Sequence, residues 1–180
     1  RLQNMDLTDR PNTMLNFQTN GVMLTSKIWD SIYRVHNNIK HIIFSFDAGR
    51  KDTYEKETRL GGHWDQLISN VDYVYEQMGD FCGRILAHNF VVQTCNYEEI
   101  PEFIQMVKDR WYRYGAESQA TFSLILQWGH MSDFEERAVW QPTHPQHKDF
   151  IRVLADPRVQ KNQNMCNFGN MGTLVKQAVQ

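Results

Sequence analysis

The chain has 180 residues, with 19 Lys and Arg against 21 Asp and Glu, a formal net charge of −2. That balance, with no long run of either sign, argues against a nucleic-acid binder working through a basic face and against a polybasic membrane anchor. No apolar run approaches the roughly 18 residues that span a bilayer, while five Trp and ten Phe are enough to fill a globular core.

In chain order, residues 1–13 read as the end of a helix and a loop. Met14 to Gln18 is a short strand. Thr25 is placed to cap a helix running through Val35, with Ile28, Ile32 and Val35 inward. Residues 40–46 form the next strand, followed by a short polar helix and the Gly61-Gly62 turn. Trp64, Leu67, Ile68, Val71, Val74, Tyr75 and Met78 recur at three- and four-residue steps and predict an amphipathic helix over 64–78. Arg84 to Thr94 is a strand rich in Ile, Leu and Val. Asn96, with acidic residues behind it and Pro101 in the first turn, starts a helix. That helix points Ile100, Phe103, Ile104, Val107 and Trp111 inward and ends near Gly115. Ala120 to Leu126 is the last clear strand. Residues 127–148 mix Trp, Gly, His and Pro without periodicity and read as a long ordered loop. A short helix from Asp149 to Leu154 stops at Asp156-Pro157. An Asn- and Gln-rich tail then turns at Asn167 to Gly172 and ends in a short helix.

Strand and helix alternate, which predicts an α/β fold with a parallel sheet. Within residues 40–47 the period of two places Ile42, Phe44 and Phe46 on one face and Ser45 and Asp47 on the other, at the strand's C-terminal end. Ligands bind at that end in parallel α/β folds. A hydroxyl and a carboxylate side by side suit hydrogen bonds to a sugar or an amine. The same two residues would also serve simply to cap the next turn.

The run Phe44-Ser45-Phe46-Asp47-Ala48, with Thr53-Tyr54-Glu55-Lys56, Arg59-Leu60-Gly61-Gly62 and Trp64 to Asn70, resembles the fourth strand and following helix of radical S-adenosylmethionine enzymes. The likeness is nearest to the branch with a SPASM- or twitch-like C-terminal region. Asn16 to Gly21 resembles the end of that family's third strand, so the likeness covers roughly residues 14–128. It implies a partial parallel (β/α) barrel of about four βα units over 1–148, with a C-terminal extension over 149–180. It implies S-adenosylmethionine as cofactor, with Ser45 and Asp47 at its ribose and Arg59 at its carboxylate, where a guanidinium binds bidentately. An ion pair of Arg59 with Glu55 is the alternative on spacing. Gln93 and Asn96, ending one strand, would line the cofactor side. Gln127, Trp128 and His130 would lie in a substrate loop.

The family holds a 4Fe-4S cluster on a CxxxCxxC loop. Cys82, Cys95 and Cys166 cannot form that loop, so no cluster is expected on this chain, and each Cys reads as a small buried hydrophobe. The resemblance therefore implies the C-terminal portion of an oxidoreductase-type enzyme, inactive alone, whose partner is an N-terminal half-barrel or a second copy. Its substrate would be a small molecule or a peptide. In the intact family a reduced cluster cleaves S-adenosylmethionine, and the 5′-deoxyadenosyl radical so formed abstracts a substrate hydrogen. The alternative is a non-catalytic binding module derived from the same fold. Three scattered Cys outside any disulfide framework suggest a reducing, cytoplasmic setting. His130, His144 and His147 lie among prolines and read as polar loop residues rather than metal ligands. Glu98-Glu99 and Glu135-Glu136 read as helix-start and solvated charges.

Overall fold

The computed structural model describes residues 2–78, 85–112 and 118–180. Its centre is a parallel sheet of five strands: β1 (Leu15–Thr19), β2 (Ile39–Ser45), β3 (Ile85–Val92), β4 (Ser118–Leu124) and β5 (Cys166–Asn167). They lie side by side in sequence order. The helices between them are α1 (Ser26–Ser31), α2 (Lys51–Thr53), α3 (Trp64–Met78), α4 (Ile100–Arg110), α5 (Phe134–Arg137), α6 (His147–Leu154), α7 (Pro157–Lys161) and α8 (Gly172–Gln177). None of them is long and apolar enough to cross a membrane.

The apolar side chains of the strands go to one face. Ile42, Phe44, Leu86, Phe90, Val92, Ala120, Phe122 and Leu124 join Leu67, Val71 and Val74 of α3 and Phe103, Ile104 and Val107 of α4 in a single core. The intervening residues look the other way. Ile43 sits beside Ala87, and Ser45 beside Asn89, on a face that stays largely open to solvent.

At the middle of the core His88 is fully buried. Its ring lies 4.5 Å from that of Trp111 at an interplanar angle of 3°. Tyr75 stacks on both, 5.7 Å from His88 and 5.8 Å from Trp111. Nδ1 of His88 lies 3.1 Å from the Gln119 carbonyl and Nε2 lies 3.3 Å from the Tyr75 hydroxyl. Burial drives its pKa from 6.5 down to about 3, so the imidazole is neutral.

Several expectations change. α1 is capped by Thr25, whose hydroxyl accepts from the Ile28 amide, but it closes at Ser31 and continues as a 3₁₀ turn over Tyr33–Asn38. The tighter winding puts Trp29, Ile32 and Val35 in the core and leaves Ile28 exposed. The segment 149–180, expected as an extension, shares the sheet and the core. It contributes β5, and Phe150, Leu154, Val159, Met165, Met171 and Val175 belong to the same apolar cluster. The loop 127–148 contains α5 and buries Ala138 and Val139. Cys95 is exposed rather than buried, Cys166 is partly buried, and Arg84, Cys82 and Gly115 lie outside the described residues.

Candidate functional site

β2 delivers Ser45, and just past it Asp47, to the C-terminal end of the sheet. Phe46 N and Asp47 N both donate to the Asn89 carbonyl, at 2.9 and 3.2 Å, so β3 holds the end of β2. Asp47 then turns with φ of 57°, the only non-glycine residue at positive φ among those described. That conformation is uncommon for any residue with a Cβ and is best tolerated by Asp and Asn. Non-glycine residues held this way cluster at functional sites, where the surroundings over-determine them.

Those surroundings are specific. Asp47 Oδ1 accepts from Val91 N at 2.9 Å, and Oδ2 accepts from Nη2 of Arg59 at 2.5 Å. The Asp47 carbonyl accepts from Nδ2 of Asn96 at 2.9 Å. Arg59 follows a π-helical turn, Tyr54–Thr58, of the kind often found next to functional sites. Its Nε is buried without a hydrogen-bond partner, while the side chain as a whole is 38% exposed. The Glu55 pairing considered from spacing does not form. Glu55 instead accepts from the Trp64 amide, at the start of α3.

Asn96 is 1% exposed. Its Oδ1 accepts from Gln93 N, and its Nδ2 donates to Val91 O as well as to Asp47 O. Three residues on, Glu99 is also buried, against the expectation that the Glu98-Glu99 pair is solvated. Its Oε2 accepts from the amides of Gly49 and Arg50, at 2.7 and 3.0 Å, and its Oε1 accepts from the Thr53 hydroxyl. Gly49 packs so closely here that an added Cβ would lie 2.9 Å from the Glu99 carbonyl oxygen. The turn after β3 thus shapes the segment after β2. Spacing gave no sign of the Glu99 role, because its partners lie 46 to 50 residues away.

Ser45, Asp47, Arg59, Gln93 and Asn96 therefore gather at one end of the sheet. Ser45 Oγ accepts from Nε2 of Gln18 at 3.1 Å. Gln93 is mostly buried, and its Oε1 accepts from Nη1 of Arg137 at 3.3 Å. Gln127, Trp128 and His130 follow β4 and are all exposed, Trp128 at 75%. A cavity of about 590 Å³ in that loop is lined by Glu135, Glu136, Gln141, Thr143, His144 and neighbouring residues, without those three. Among the described residues no three His, Cys, Asp or Glu side chains are grouped to hold a metal ion. No protein-family model and no curated protein matches the chain.

Proposed function

We propose that the chain is part of a radical S-adenosylmethionine enzyme and contributes cofactor and substrate contacts from the C-terminal end of its sheet. The observation that carries this reading is the convergence of Ser45, Asp47 and Arg59 beyond β2, in a sheet whose parallel strands run in sequence order. Parallel crossovers are almost always right-handed. Crossovers of one hand that always advance the same way put their helices on one face, which is the winding of a β/α barrel. The one-sided core agrees with it.

The residues fit the cofactor. Ser45 accepts a hydrogen bond but keeps its own hydroxyl proton to donate to a ribose oxygen. Arg59 gives one nitrogen to Asp47 and retains further donors on its exposed portion for a carboxylate. Asp47 would hold Arg59 in place and offer its remaining lone pairs to a ribose hydroxyl. When bound in an intact enzyme of this kind, the cofactor supplies hydrogen-abstraction chemistry. This chain's residues bind, orient and keep competing groups away.

One observation favours the second reading, a non-catalytic binding module: Asp47 and Arg59 already satisfy one another without a ligand. Saturation-transfer NMR with S-adenosylmethionine separates the two. The cofactor reading expects transfer to the ribose protons. It expects affinity to fall by about 1.5 to 3 kcal/mol in Arg59→Ala and by about 0.5 to 1.5 kcal/mol in Ser45→Ala. Absence of transfer at millimolar cofactor overturns it and leaves the module.

A further inference from the structure

Parallel sheets normally have both faces covered, yet the face opposite the core stays accessible along β1 to β5. Its side chains are polar without being charged. Asn16 and Gln18 of β1 are exposed, and Asn89, Gln119, Thr121 and Ser123 of β3 and β4 are half-buried. No Asp, Glu, Lys or Arg stands on this face of the described strands.

The strand register orders these groups. Ser45 lies beside Asn89, Asn89 beside Thr121, and Thr121 beside Asn167. At about 4.8 Å between strands the row is roughly 14 Å long. Gln18 extends it to β1 through its bond to Ser45. The Asn167 Oδ1 accepts from Gly169 N. The side chains of Asn89, Gln119, Thr121 and Ser123 make no hydrogen bond to another described residue.

We propose that this row binds an uncharged small molecule carrying amide groups. The carboxamides of Gln18, Asn89, Gln119 and Asn167 each offer a donor and an acceptor, which a ligand amide meets reciprocally. An anion would lose hydration here without gaining a cation. A nucleobase would find no ring to stack on, since Phe44, Phe90 and Phe122 all face the core. A second copy of the chain docked here would bury amides and hydroxyls where stable interfaces place apolar groups. This site shares only Ser45 with the cofactor reading and does not depend on it.

The test is amide-resolved NMR of the whole chain titrated with N-acetylglycinamide, glycerol and acetate in parallel. The amide probe should shift resonances of Asn89, Thr121 and Asn167 ahead of the other two. Thr121→Val should weaken its fitted affinity about fivefold, the loss of one neutral hydrogen bond. Asn89→Leu should do the same, with core resonances unmoved in both variants. Thr121→Val differs little in shape, so it keeps the test open should Asn89→Leu fail to fold. Acetate or glycerol binding as tightly as the amide, shifts scattered away from the row, or unchanged affinity in a folded Thr121→Val would each overturn the proposal.

Discussion

Two side chains from one turn govern the candidate site: Asn96 fixes the carbonyl of Asp47, and Glu99 fixes the two amides and the hydroxyl that follow. Removing Glu99 would strand Gly49 N, Arg50 N and the Thr53 hydroxyl in a buried place. Glu99→Ala is expected to lower stability by about 3 kcal/mol in urea denaturation, the scale set by unsatisfied buried groups. A loss below about 1 kcal/mol would mean that water replaces the carboxylate. The placement of Ser45 and Asp47 on one face could be read directly from the period of two in their strand. The positive φ of Asp47 and the two clamping side chains could not. They depend on contacts between segments far apart in sequence, and a Glu beside a Glu before a helix looks the same whether it is solvated or buried.

Elements were readable where burial imposes a period. α3 runs from Trp64 to Met78, the span its apolar spacing predicts, because one stripe of a long helix packs on the sheet. α1 was misread because its change to 3₁₀ winding rotates the inner face by a residue, and β5 because two residues carry no pattern. Close approach is equally invisible in sequence. A Cβ on Gly62 would lie 2.6 Å from Cε1 of Tyr54 and 2.8 Å from the Arg59 carbonyl oxygen. Gly62→Ala should therefore disturb the turn that presents Arg59 and cost about 1 to 3 kcal/mol, the range for overpacking, measurable as a lowered Tm. Thr25→Ala removes the cap of α1 and should cost about 1 kcal/mol. An unchanged Tm in either variant would contradict its contact.

For the whole molecule, the central His88 links folding to acidity. Its pKa falls from 6.5 unfolded to about 3 folded, through burial. The unfolded chain therefore takes up the proton first. This contribution to stability is intact above pH 6.5 and is lost as pH falls from there toward 3, at about 1.4 kcal/mol per pH unit. Between pH 7.5 and pH 5 it should remove about 2 kcal/mol. Urea midpoints of the wild type and of His88→Gln at the two pH values test this. The variant should be less stable at pH 7.5 but show a pH loss smaller by that amount. Equal losses in both would place the acid sensitivity elsewhere. The α/β alternation was legible because each strand and helix must bury its own apolar face. The histidine at the centre was not, since nothing in its neighbours along the chain distinguishes it from a surface residue.

The sequence-order arrangement of the strands also bears on how the protein is made. Each strand from β2 onward pairs with the one synthesised just before it. A chain emerging from the ribosome can therefore extend its sheet unit by unit, without waiting for a distant segment. β1 must wait only for β2, across a single helical connection. β5 arrives last and adds two residues at the far edge. Ribosome-bound chains stalled at successive lengths should accordingly gain protease resistance in steps, one for each βα unit released.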